Sequence, residues 1–126
     1  MIANIIVPVD GSEQALHALD HAAYLARLAD ARLHLLHVTA SSERSHEQRA
    51  REVMEAARQR LPADLPARER VIAGDPADTI LDYVSEQGAP VIVMGNRGLS
   101  GPEEWLMGSV SDKVLNQAEC PVTIVR

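Results

Sequence analysis

Gly95, Gly98, Gly108 and Ser109 are the residues whose types and spacing could do chemistry. Two residues separate Gly95 from Gly98, nine separate Gly98 from Gly108, and Ser109 follows directly. Glycine lets a backbone approach an anion closely. The first N–H groups of a helix have no partner inside it, and the macrodipole adds partial positive charge there. Val110, Val114, Leu115 and Ala118 recur at helical spacing, so the sequence predicts a helix that starts at Gly108–Ser109 with its N–H groups open to a phosphate. Ser109 adds a hydroxyl, which can meet that phosphate or form a capping box with Asp112. Arg97 is the one cation between Gly95 and Gly108. The pattern is neither a Walker A loop, since no G-K-[ST] follows, nor the dinucleotide G-x-G-x-x-G.

These residues need elements to hold them. Val91-Ile92-Val93-Met94 is a continuous apolar run that ends at Gly95, as in a parallel strand buried on both faces. Ile2 to Val9 predicts the first strand, with Pro8 awkward for an interior position unless its missing N–H falls where no ladder bond is needed. Asp10-Gly11-Ser12 turns into a helix reaching about Leu28, with the apolar stripe Ala15, Leu16, Leu19, Ala23 and Ala26. Ala31 to Val38 predicts the second strand. Glu47 to Leu61 predicts a helix with Val53, Met54, Ala57 and Leu61 inward, its many charges a solvated face. Glu69 to Ala73 reads as a short edge strand. Asp75 and Pro76 open a third helix that Gly88 ends. Val122 to Val125 is the last strand.

Five alternations of strand and helix predict one α/β domain over residues 1–126. The expectation is a single doubly wound five-stranded parallel sheet in the order 3-2-1-4-5, with helices on both faces. That order puts Asp10 and Gly95 on one crevice at the strand 1/strand 4 switch point, where such sheets bind ligands. Asp10 reads either as a helix N-cap or as a carboxylate that meets a nucleoside or helps hold a metal. His17 and His21 have helical i, i+4 spacing but no third ligand, and His34 and His37 read as packed or hydrogen-bonded.

Composition narrows the function classes. The net charge of −6 argues against nucleic acid as a partner. One cysteine excludes an internal disulfide. There is no basic-apolar leader and no apolar run of membrane-spanning length, so the expectation is a cytoplasmic protein without membrane insertion. With no Phe, one Trp and two Tyr, the core must be aliphatic.

The glycine spacing resembles the G-2x-G-9x-G-[ST] motif of the universal stress protein family. Ile6-Val7-Pro8-Val9-Asp10-Gly11-Ser12 and Ala118-Glu119-Cys120-Pro121-Val122 resemble that family too, so the resemblance spans the chain. It implies the ATP-binding branch, a stress-response regulatory module. The implied ligand is ATP or AMP, with Mg²⁺ or Mn²⁺ as its accompanying cation. Gly95, Arg97, Gly98, Gly108, Ser109, Val110 and Ser111 would carry ribose and phosphates. Pro8, Asp10, Val38 and Met94 would line the nucleoside, with the Val38 backbone reading the adenine edge. Relatives often place a basic residue near Glu104. Here Glu103 and Glu104 disfavour a triphosphate against a monophosphate unless they point outward or share a cation.

Three other readings compete. A slow ATPase would need a water-positioning base, and the loop supplies Arg97 but no Lys. Weak hydrolysis at most is therefore expected. A receiver-like phosphoacceptor would need an acidic cluster that Asp10 alone does not make. A dimeric interaction module with an unoccupied site is the third. The strand Val122 to Val125, uncharged and at the sheet edge, predicts a homodimer through that strand, as the resemblance also implies.

Overall fold

The protein was analysed as a computed structural model, which describes residues 1–96 and 102–126, without the side chains of residues 102–108. Its elements are β1 (Asn4–Pro8), α1 (Glu13–Ala29), β2 (Arg32–Thr39), α2 (Arg44–Arg60), β3 (Ala67–Ala73), α3 (Pro76–Ser85), β4 (Pro90–Gly95), α4 (Pro102–Gln117) and β5 (Val122–Val125). All four strand pairings are parallel and the order is β3-β2-β1-β4-β5, as the alternation predicted.

Two aliphatic clusters bury the faces of the sheet. Ile5, Val7, Leu33, Leu35, Val91 and Val93 pack against Ala18, Leu19 and Ala22 of α1 and Val53, Met54 and Ala57 of α2. Ile6, Leu36, Ile92 and Met94 pack against Ile80, Tyr83 and Val84 of α3 and Val110 and Val114 of α4. The alternation of Ile5 and Ile6 between clusters is the two-residue period of a strand covered on both sides.

Pro8 sits in the central strand without cost to the ladder. The Val9 N–H donates to Leu36 O at 2.9 Å, so odd-numbered backbone groups of β1 face β2 and the Pro8 nitrogen faces β4. Pairing of β1 with β4 ends at Ile6–Ile92, whereas β1 continues beside β2 to Pro8–Leu36. The missing N–H therefore falls where β1 and β4 have already parted.

One element differs from expectation. The helix α4 starts at Pro102, not at Gly108–Ser109. Proline followed by two glutamates is a helix-start signature, since proline tolerates the first turn and acidic residues suit the positive end. Gly108 and Ser109 thus lie inside α4, not among its first four N–H groups.

Candidate functional site

The loop between β1 and α1 is tightly bonded. Ser12, fully buried, is the N-cap of α1, and its Oγ accepts from the Ala15 N–H at 3.1 Å. Asp10 is not the cap. Its Oδ1 accepts from the Ser12 N–H at 2.9 Å, which orients the carboxylate. Its Oδ2 is buried and has no hydrogen-bond partner among the described residues. A buried acceptor left unsatisfied costs about 1–3 kcal/mol, and more when charged, so this atom awaits a donor.

Two side chains clamp the backbone around Asp10. His37 of β2 bonds Val9 O at 2.8 Å through Nδ1. A carbonyl only accepts, so Nδ1 carries the proton and neutral His37 presents Nε2 as an acceptor. Burial lowers the His37 pKa, the Val9 bond opposes this, and the Arg49 charge lowers it further. Arg49 of α2 donates from Nη2 to Asp10 O at 3.0 Å.

Around this loop lies a cavity of about 290 Å³ at the carboxyl ends of β1 and β2. Pro8, Val9 and Asp10 line one side, and Leu36 to Ala40 line another. Gly74, Pro76 and Ile80 come from the β3–α3 segment, His46 and Arg49 from α2, and Val110 from α4. The lining is mostly apolar with a few polar side chains, Asp10, His37, Thr39, His46 and Arg49, the make-up of a small-molecule site.

Of the residues singled out from sequence, Pro8, Asp10, Val38 and Val110 meet at this cavity. Met94 is fully buried in the apolar cluster that also holds Leu36 and Val110. Gly95 ends β4 against α1, where an added Cβ would lie 3.0 Å from the Gln14 carbonyl carbon and oxygen. That close approach accounts for its glycine. Ser111, 3% exposed, donates from Oγ to Asn96 O at 2.8 Å. Ser109 is exposed on α4, and the Gly108 backbone is helical. Arg97 and Gly98 fall outside the described residues.

Sequence reasoning missed His46 and Arg49. Both sit on a helix read as a solvated face, yet they continue its inward stripe of Ala57, Met54, Val53 and Ala50 toward the amino end. Extending that stripe would have placed them at the site. His17 and His21 are both exposed. Among the described residues no group of three His, Cys, Asp or Glu side chains could hold a metal.

A doubly wound parallel sheet with a half-buried carboxylate at the mouth of its central strand belongs to the α/β class whose ligands sit at the carboxyl ends of the strands. Comparison with known proteins makes this specific. The Universal stress protein family model matches residues 1–126, and the chain belongs to that family. It is 34% identical over 148 residues to Universal stress protein YxiE of Bacillus subtilis (strain 168), covering 100% of both chains. Universal stress protein UspA from Lactobacillus plantarum superposes with a TM-score of 0.81 at 28% identity, over 98% of this chain and 97% of that one. A universal stress protein solved in complex with cAMP superposes with a TM-score of 0.73 at 26% identity, over 98% and 97%.

Proposed function

We propose that this chain is an adenine-nucleotide-binding regulatory module of the stress response, taking ATP or AMP in the cavity at the carboxyl ends of β1 and β2. The observation that carries this reading is Asp10, a residue that lines the cavity and whose buried Oδ2 has no hydrogen-bond partner among the described residues. A nucleoside brings the donors that this acceptor lacks, namely ribose hydroxyls or the exocyclic amine. The apolar lining from Pro8, Val38, Ile80 and Val110 suits the faces of a base. A relative of the same fold was solved with cAMP, a ligand of the same chemistry.

In this reading Gly95, Arg97, Gly98, Gly108, Ser109 and Ser111 take the ribose and phosphates. A glycine inside a helix costs about 1 kcal/mol relative to alanine. A phosphate that approaches the α4 backbone from the side gives Gly108 a reason to be there. A Mg²⁺ or Mn²⁺ ion would complete its shell with phosphate oxygens. The module assembles as a homodimer through β5.

Calorimetric titration of ligand-free protein with AMP and ATP tests the reading. The wild type is expected to bind, and Asp10→Ala to bind about tenfold or more weakly, the worth of one hydrogen bond to a charged group. A wild type that binds neither nucleotide, or an Asp10→Ala variant with undiminished affinity, contradicts it.

A further inference from the structure

The two edges of the sheet differ in chemistry. β5 carries no charge between its ends. β3, at the opposite edge, reads Ala67-Arg68-Glu69-Arg70-Val71-Ile72-Ala73, and its four central positions from Arg68 to Val71 are exposed. The Gly74 N–H donates to Thr39 O, so even-numbered backbone groups of β3 face β2. By the period of two, the N–H and C=O groups of Glu69 and Val71 face outward. No strand beyond β3 is present among the described residues to pair with them.

The side chains add sign. Arg68 and Arg70 lie on the α3 face of the sheet, as Arg32 does on β2. None of the three has a carboxylate within ion-pair reach among the described residues. On the other face Arg58 pairs with Glu55 and Glu69, and Arg60 with Asp20. The Arg70 guanidinium stands over the Tyr83 ring, 5.7 Å from its centroid, which fixes its place. A chain of net charge −6 thus carries, among the described residues, two cations without an ion pair on its edge strand and a third, Arg32, on the strand beside it.

We infer that the β3 edge is a docking strand for an acidic, extended segment of another protein, which joins the sheet by main-chain hydrogen bonds. Acidic side chains two residues apart on that segment would lie beside Arg68 and Arg70, and small apolar ones beside Glu69 and Val71. A second copy of this chain fits less well, because antiparallel pairing of β3 with itself centred on Glu69 or Arg70 sets arginine against arginine on one face.

Fluorescence anisotropy with a labelled peptide of alternating glutamate and valine tests the inference. Wild type should bind it, added salt should weaken binding, and the lysine-for-glutamate peptide should not bind. Arg68→Glu/Arg70→Glu should reverse that preference. Val71→Pro removes one outward N–H without touching the β2 ladder and should abolish binding. Should that variant unfold, a peptide N-methylated at alternate residues asks the same question of the wild type. No binding by the wild type, equal binding of the lysine peptide, or equal binding of the N-methylated peptide overturns it.

Discussion

His34 shows what single residues contribute at the centre of this sheet. It is fully buried, with Nε2 2.8 Å from Asn4 Oδ1 and Nδ1 2.7 Å from the Tyr83 hydroxyl. The Asn4 amide nitrogen already donates to Gly88 O, so Asn4 Oδ1 can only accept. Nε2 therefore carries the imidazole proton, and the Tyr83 hydroxyl donates to Nδ1. A second proton, on Nδ1, would force the Tyr83 hydroxyl to turn from donor to acceptor. Burial, reinforced by the Arg68 and Arg32 charges, lowers the His34 pKa from 6.5 to about 4. The folded state then binds fewer protons than the unfolded state between these values, so stability falls as pH drops through that window. The full loss is about 3 kcal/mol, of which about 2 kcal/mol is gone by pH 5. His37, whose pKa burial also lowers, adds in the same direction. Urea unfolding at pH 7.5 and pH 5 should show this loss, and His34→Gln should flatten most of the slope. Equal wild-type stability at both values, or an unchanged slope in the variant, contradicts the assignment.

The contact between β4 and α1 governs the site at the scale of elements. Gly95 belongs to the motif that drew attention to the sequence, yet its neighbours are the backbone atoms of Gln14 and Ala15. Gly95→Ala should cost about 1–3 kcal/mol, since backbone cannot move aside cheaply. At roughly 4 °C per kcal/mol for a chain of this size, the melting midpoint should drop visibly. Gly88→Ala, whose Cβ would meet nothing within 4 Å, is the control and should leave the midpoint unchanged or higher. Equal midpoints for Gly95→Ala and wild type would refute the packing argument. Apolar runs, caps and breakers made the element order legible in the sequence, because each is set by local chemistry. Asp75 caps α3 through Oδ2 to the Asp78 N–H, and Ser12 caps α1, both within what capping rules foresee. The start of α4 was not legible while its glycines were read first, since Pro102 fits both a loop and a first helical turn. The cavity's second wall was not legible either. Arg49 meets the Asp10 carbonyl across 39 positions of chain, and spacing alone does not give such a contact.

Among the described residues the whole molecule is a sheet whose two edge strands, β3 and β5, pair on one side only, with a largely apolar cavity at the carboxyl ends of β1 and β2. Sequence pattern foresaw the strand order, because crossover rules leave few ways to wind five parallel strands. The proposed homodimer depends on the β5 edge. Pro121 O and Val125 O accept from β4, so odd-numbered backbone groups of β5 face inward and the Ile124 N–H faces outward. In an isologous dimer Ile124→Pro removes a partner-facing donor and leaves the β4 ladder intact. Sedimentation should show a dimeric wild type and a folded, monomeric Ile124→Pro. A monomeric wild type at micromolar concentration, or a dimeric variant, rules out this interface.

The central claim is that the cavity beside Asp10 holds an adenine nucleotide, and thermal unfolding of ligand-free wild type tests it most directly. Only the folded chain has the cavity, so AMP or ATP at about a hundred times its dissociation constant should add about 2.7 kcal/mol of stability. For a domain of this size the midpoint should rise by about 10 °C, and the rise should shrink or vanish in Asp10→Ala. An unchanged midpoint with AMP and with ATP, in the presence of Mg²⁺ or Mn²⁺, would contradict the account.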